Sequence, residues 1–212
     1  NSAPSFLNSV IINNSGDFGG GIYVYSGSPS FYNCIVSNNT SSYKGGGLYS
    51  YKASPILMNC NFTGNSASSD GAGIFVSSIQ SELKPTIINC ISWGNVSKGV
   101  QGHGIFGEGD GSGIPAKFVG DSNALAGKPS ILQGWSGDSR AIADNPMFEN
   151  LNDPNGEDDT WFTNDDGLRL KDGSPAIDTG SEVLNVSRYD LAGFVRTQNG
   201  KIDLGAYEYG GQ

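Results

Sequence analysis

The chain has 212 residues, 32 of them glycine, roughly double ordinary usage. Only 16 % are charged, with 12 basic and 21 acidic side chains and a formal net charge of −9. An acidic balance argues against nucleic acid, which wants a basic patch. Glycine has no three-residue period, so collagen is excluded, and no apolar run reaches the ~18 residues of a membrane span.

The charge is uneven. Residues 1–100 carry three acids and four bases, whereas residues 101–212 carry 18 acids and eight bases. The chain opens on Asn1-Ser2-Ala3-Pro4, directly before a strand-like run, and reads as a mature or trimmed fragment.

Aligned on proline, the first half repeats. Pro4-Ser-Phe-Leu-Asn8-Ser9 is followed by Pro29-Ser-Phe-Tyr-Asn33-Cys34, Pro55-Ile-Leu-Met-Asn59-Cys60 and Pro85-Thr-Ile-Ile-Asn89-Cys90, at spacings of 25, 26 and 30. A second asparagine set, Asn14, Asn39, Asn65 and Asn95, keeps the same register. A glycine block recurs at Gly19-Gly20-Gly21-Ile22, Gly45-Gly46-Gly47-Leu48, Gly71-Ala72-Gly73-Ile74 and Gly102-His103-Gly104-Ile105. Tyr23, Tyr49, Phe75 and Phe106 follow the blocks.

Each repeat holds short strand-like runs divided by Gly/Asn/Ser turns, with no 3.6-residue period. That pattern suits a solenoid. The expected fold is all-β: a right-handed parallel β-helix with an irregular C-terminal cap. Equivalent residues then stack ~4.8 Å apart. Asn33, Asn59 and Asn89 are expected to form an amide ladder along one turn. Phe6, Phe31, Leu57 and Ile87 form one inward column, and Ile22, Leu48, Ile74 and Ile105 another. Cys34, Cys60 and Cys90 share one register and read as buried structural thiols. The glycines fall where φ > 0 is needed.

If Ile22 and Val24 point inward, Tyr23 and Tyr25 point outward. Tyr49, Tyr51, Phe75 and Phe106 extend them into an exposed aromatic stripe. Such a stripe either binds sugar rings or stabilises the sheet through cross-strand pairs. Asp17 and Asp70 are the weak candidates for a catalytic pair, two coils and thus about 9.6 Å apart at the strand spacing. The lone His103 replaces a block glycine and reads as a turn residue.

The repeat degrades after residue 107. Residues 108–148 read as degenerate coils and an insertion, Ser112 to Lys128 having no clear partner coil. Residues 149–212 read as an acidic loop and cap within a single domain. Here the motifs Asp144-Asn-Pro-Met-Phe148, Asp166-Gly-Leu-Arg-Leu170, Ser174-Pro-Ala-Ile-Asp178 and Ile202-Asp-Leu-Gly-Ala-Tyr-Glu208 stand in order. With the Asn-Cys-x-x-x-Gly-Asn coils, the chain resembles the C-terminal part of bacterial secreted β-helix proteins of the choice-of-anchor Q type. Through Gly-Gly-x-Ile and Phe62-x-x-Asn65 it is more weakly similar to chlamydial polymorphic outer-membrane adhesins. The resemblance implies secretion or surface display, and neither family has one fixed activity.

Between Asp153 and Asp166 lie six carboxylates, two asparagines and no base. Calcium takes six to eight hard oxygens from such loops. The expected ligands are Asp153, Asn155, Glu157, Asp159, Asp165 and Asp166, and the alternative is a solvated loop. Asp178, Asp190, Arg196, Asp203 and Glu208 suggest an Arg-centred network capping the last coil.

The expected function is a non-catalytic surface or secreted domain that presents an elongated face to a polysaccharide or surface glycoprotein. The alternatives are a calcium-assisted polysaccharide lyase or glycoside hydrolase, and a structural stalk. An uncapped first coil exposes core and strand edges, which predicts upstream coils in the native protein or an end-to-end self-contact.

Overall fold

The computed structural model describes residues 2–77, 85–98, 100–101, 104–108, 118–120, 144–181, 187–197 and 200–210. Each of the first three coils is a circuit of four short strands. The first coil is β1 (Ser5–Leu7), β2 (Val10–Ile12), β3 (Ser15–Phe18) and β4 (Ile22–Gly27). The second is β5 (Ser30–Tyr32), β6 (Ile35–Ser37), β7 (Thr40–Lys44) and β8 (Leu48–Ala53). The third is β9 (Ile56–Met58), β10 (Asn61–Thr63), β11 (Ser66–Ala67) and β12 (Ile74–Ser77). The fourth holds β13 (Thr86–Ile88), β14 (Cys90–Trp93), β15 (Val96–Ser97), β16 (Val100–Gln101) and β17 (Ile105–Glu108). A last strand, β18 (Phe118–Gly120), follows.

Like strands stack into four sheets: β1-β5-β9-β13, β2-β6-β10-β14-β18, β3-β7-β11-β15-β16 and β4-β8-β12-β17. Every pairing is parallel except β15 with β16. The fold is therefore a parallel β-solenoid, with no helix among the described residues. β18 lies inside the stretch expected to lack a partner coil, yet it pairs with β14 and extends the second sheet.

Four corners per coil explain the composition. After β1 and its equivalents the backbone turns through φ > 0 at Asn8, Asn33, Asn59 and Asn89. After β2 it does so at Asn13, Asn38, Gly64 and Gly94, and after β3 at Gly19, Gly45 and Gly71. Ser26 and Lys52 make the fourth corner in the first two coils. Asparagine and glycine are the residues that tolerate this region. The second glycine of the first two blocks serves a different need. A Cβ on Gly20 or Gly46 would lie 2.4 Å from a carbonyl oxygen of the next coil, of Thr40 or Ser66.

The core columns form in the expected register, Phe6-Phe31-Leu57-Ile87 and Ile22-Leu48-Ile74-Ile105. Cys34, Cys60 and Cys90 are buried and free. The neighbouring Cys60 thiol and then burial push the Cys34 thiol far up, and burial does the same to Cys60; such thiols are inert nucleophiles. At the first coil the core is open: Phe6 and Leu7 are exposed.

The amide ladder runs along the other asparagine set, which corrects the expectation for Asn33, Asn59 and Asn89. Asn39 donates from its backbone N (2.9 Å) and its Nδ2 (3.1 Å) to Asn65 Oδ1. Asn65 donates in the same way to Asn95 Oδ1, at 2.9 and 3.0 Å, and Asn14 to Asn39 Oδ1, at 3.0 and 3.1 Å. Each Nδ2 also reaches back to a backbone carbonyl: Ile11 O for Asn39, Val36 O for Asn65 and Phe62 O for Asn95. Side chains at this register point inward and find buried backbone groups to satisfy. Those at the Asn33 corner point outward.

What they meet there is the C-terminal segment. Residues 144–181, 187–197 and 200–210 lie along the solenoid's flank, beside several coils. The outer face of the second sheet carries the column Val10-Ile35-Asn61-Ile91. Ile35 and Ile91 pack with Phe148, Leu168, Leu170, Leu191, Leu204 and Tyr207 in a second core outside the solenoid. Gly205 crosses closest. Its φ is +92°, and a Cβ there would meet Asn61 Oδ1 at 2.5 Å and Ile91 Cδ1 at 2.8 Å.

Candidate functional site

Three groups of side chains carry candidate chemistry: the aromatic face of the fourth sheet, the acidic loop, and the buried ionic cluster of the C-terminal segment.

The aromatic register forms as the alternation requires. Tyr23, Tyr49 and Phe75 stack with centroids 5.5 and 5.2 Å apart and planes 11° and 6° apart. Tyr25 and Tyr51 make a second column at 5.6 Å. Phe106 continues the backbone register opposite Phe75, and its side chain lies outside the described residues. The expected exposure holds only in part. Tyr23 and Tyr25 are 52 % and 61 % exposed, but Tyr49 is 8 % and Phe75 0 % exposed. Ring faces within the column are consumed by neighbouring rings. Phe18 tilts against Tyr49 at 5.0 Å, and Lys44 Nζ sits 4.5 Å above the Phe75 ring. Tyr43 meets Phe18 edge-on at 5.1 Å and is half exposed. The accessible aromatic patch is therefore Phe18, Tyr23, Tyr25 and Tyr43, with Tyr51 at its border and Lys52 Nζ 5.2 Å over the Tyr51 ring. Phe18 and Tyr43 escaped the stripe expected from alternation because they come from the third sheet, whose last residues lean over the corner.

Asp17 and Asp70 belong to that same corner. Asp17 accepts from Ser42 Oγ at 2.6 Å. Asp70 is ion-paired with Lys98 at 3.0 Å and accepts from Ser69 Oγ at 3.2 Å. Gly19 N bonds Lys44 O and Gly45 N bonds Asp70 O. Phe18, Lys44 and Asp70 thus share a register, and Asp17 falls one residue outside it.

In the acidic loop the carboxylates mostly cap the loop's own N–H groups. Asp165 Oδ2 accepts from Asp158 N at 3.1 Å and its Oδ1 from Thr163 Oγ1 at 2.7 Å. These bonds, Thr163's foremost, hold Asp165 below the usual carboxylate range. Asp158 Oδ1 caps Thr160 N, and Asn155 Nδ2 donates to Asp159 Oδ1. Asp166 is fully buried: its Oδ2 accepts from Phe162 N, Thr163 N and the Tyr207 hydroxyl, while its Oδ1 has no partner. Burial pushes its carboxyl upward. Glu157 and Asp159 are exposed and Asp153 is half-buried. Among the described residues no three acidic, cysteine or histidine side chains converge to hold a metal ion.

The third group is the most buried. Arg196 is 0 % exposed. Its Nη1 donates to Glu208 Oε2 at 3.3 Å and Gly205 O at 3.2 Å; its Nη2 donates to Asn33 Oδ1 at 3.0 Å and Ala206 O at 2.8 Å. Asp190 accepts from Phe194 N and Glu208 N, Asp203 from Asp178 N and Tyr209 N, and Glu208 Oε1 from Asp203 N. Desolvation pushes Glu208 up to about 9, with Asp203 adding to the rise and Arg196 opposing it. Desolvation also raises Asp203 and lowers Arg196. The corner asparagines complete the dock. Asn33 Nδ2 donates to Tyr189 O at 2.8 Å and Asn59 Nδ2 to Asp203 O at 3.4 Å. Asn89 exchanges two bonds with the Ser181 backbone and accepts Gly205 N on its own carbonyl. The expected Arg-centred network exists, but it ties the flanking segment to the second coil through Asn33.

Comparison with known proteins bears on the coils. The family model of the Chlamydia polymorphic membrane protein repeat matches residues 33–51 and 59–77. Each match begins at an asparagine corner and ends in the fourth sheet, so each covers most of one coil. No curated protein and no solved structure matches the chain. The choice-of-anchor Q likeness rests on its motifs alone. Among the described residues no helix is long and apolar enough to cross a membrane. A parallel solenoid whose coils match this repeat fits a cell-surface repeat protein, in keeping with a surface location.

Proposed function

We propose that the chain is a non-catalytic module of a surface protein, whose aromatic corner holds a glycan. The observation carrying this reading is the accessible patch of Phe18, Tyr23, Tyr25 and Tyr43. Exposed aromatic groupings of this kind mark interaction sites. Rings that present free faces suit the apolar faces of sugars, and their hydroxyls suit sugar oxygens. Tyr23 and Tyr25 are the most exposed rings of the patch, and Tyr43 adds an exposed hydroxyl-bearing ring beside Lys44 Nζ, 5.5 Å over its centroid. Tyr23→Ala and Tyr43→Ala are expected to cut retention on a polysaccharide array at least tenfold with unchanged melting. Retention equal to the parent chain would remove the patch from consideration, and released oligosaccharide products would favour a lyase or hydrolase.

The reading extends to calcium at the acidic loop. It is supported by the oxygen count of Asp153, Asn155, Glu157, Asp159, Asp165 and Asp166 and by the buried, partnerless Oδ1 of Asp166. An ion would displace some of the N–H caps. The expected result is a higher melting midpoint in millimolar Ca²⁺ than in EDTA. Equal midpoints would leave the loop self-capped and the calcium reading without support.

A further inference from the structure

We propose that residues 187–197 and 200–208 form a proton-held clasp: the segment stays docked on the asparagine corners while the carboxylates around Arg196 share a proton, and lifts off as that proton is lost. Three buried carboxylates, Asp190, Asp203 and Glu208, surround one buried guanidinium. With all four groups ionised the cluster would hold two uncompensated negative charges away from water, which is strongly disfavoured. The surroundings supply little relief. Lys201 is exposed and pairs with Asp178 at 3.3 Å, outside the cluster. The Arg169 guanidinium stacks on Phe194 and Tyr207 and donates to Glu208 O, not to its carboxylate. Arg188 lies over the Tyr189 ring. Tyr207 is neutral and is bonded to buried Asp166. From the solenoid side the facing titratable group is the Cys60 thiol, also neutral. Charge balance is therefore met most directly by a proton.

The dock is suited to opening as a unit. Among the described residues the clasp contributes no strand to the solenoid sheets, and its pairing includes the isolated antiparallel bridge Tyr189–Val195. Its polar grip on the coils is a short set of bonds to the Asn33, Asn59 and Asn61 side chains and the Asn89 carbonyl, beside the packing of Leu191, Leu204 and Tyr207 in one cluster with Ile35 and Ile91. Segments held by few regular hydrogen bonds open below the global unfolding limit.

The sign follows from linkage. Glu208 is raised in the docked state above its ordinary value of 4.5, to about 9. The docked state therefore binds the proton more tightly, and docking is strongest below about pH 4.5. It weakens as pH rises toward 9, by up to about tenfold per pH unit for one proton.

Hydrogen–deuterium exchange of the whole chain at pH 6 and pH 9, corrected for base-catalysed intrinsic exchange, tests this. Leu191, Arg196, Leu204 and Gly205 amides are expected to lose protection at least tenfold, while Ile35, Asn39, Asn61 and Ile74 keep theirs. Loss in both sets together, or in neither, would overturn the proposal. Glu208→Gln keeps the shape and cannot ionise. It should flatten the clasp's pH dependence; a slope equal to that of the parent would also overturn it. The parent comparison decides even if the variant does not fold.

Discussion

Arg196→Ala is expected to destabilise the protein by about 3–5 kcal/mol, the cost of breaking a buried ion pair by removing one partner, read as a large fall in the urea midpoint. The substitution deletes four donated bonds, to Glu208, Gly205, Asn33 and Ala206. It also leaves three buried carboxylates without their cation. The two effects separate by pH. Without the guanidinium the carboxylates bind protons more tightly, so the loss should be smaller at pH 5 than at pH 8. Arg196→Met keeps much of the packing and still strands the carboxylates, so it should resemble Ala. Combining it with Glu208→Gln should recover part of the loss, a coupling that a double-mutant cycle measures. Arg188→Ala is the control: that residue is exposed and stacks on an exposed tyrosine, so its removal should shift the midpoint little. Equal midpoints for Arg196→Ala and the parent would mean that the cluster contributes nothing net to stability.

The solenoid was legible because stacking writes itself into sequence. Register columns repeat one residue type per coil, so aligning prolines sufficed to place Phe31 over Leu57 and Leu48 over Ile74. Which asparagines ladder was not legible from residue type. Asn39 and Asn33 look alike in sequence; what separates them is φ, +50° at Asn33 and not positive at Asn39. At Asn33 the backbone needs the positive φ and the amide turns to the flanking segment, whereas at Asn39 the amide bonds within the ladder. A usable signal was the alternation at the neighbouring corner, where Asn38 gives way to Gly64 and Gly94. A position that accepts glycine is a backbone position, and the asparagine next to it is the side-chain one.

The flanking segment was harder. Its motifs were visible, but no periodicity says where an irregular chain docks. The clue lay in the second sheet: Val10-Ile11-Ile12 and Ile35-Val36 are continuous apolar runs, the mark of a strand buried on both faces. Only one face can look into a solenoid, so the other required a cover. The exposure of the aromatic stripe was misjudged for a related reason. Alternation tells which side of the strand Tyr49 and Phe75 occupy and nothing of Phe18, Tyr43 and Lys44 leaning over them from the next corner.

The amide ladder carries the second large prediction. Asn65→Ala removes the acceptor of both Asn39 donors and the donor to Val36 O and Asn95 Oδ1. The Asn39 backbone N–H is then buried without a partner, and each such orphan costs about 1–3 kcal/mol. With two or more orphans, the expected loss is about 2–5 kcal/mol by equilibrium unfolding. Asn65→Asp sharpens the test. It retains an acceptor for Asn39 but places a second oxygen where an amide donated to Val36 O and Asn95 Oδ1. Ionised, that carboxylate is buried and faces two oxygens. Protonated, it restores one donor. Its folded-state pKa is therefore raised, so the variant should be most stable at low pH and lose stability as pH rises through the neutral range. Asn38→Gly, at the exposed corner beside the ladder, substitutes a residue at home at φ +54° and should change the midpoint little. Asn65, in the Asn39 column, and Asn38, at the corner beside that column, should thus give unequal results when the amide is removed, because the Asn65 amide joins the coils in the ladder. If Asn65→Ala and Asn38→Gly shift the midpoint equally, the ladder is not what holds the coils in register.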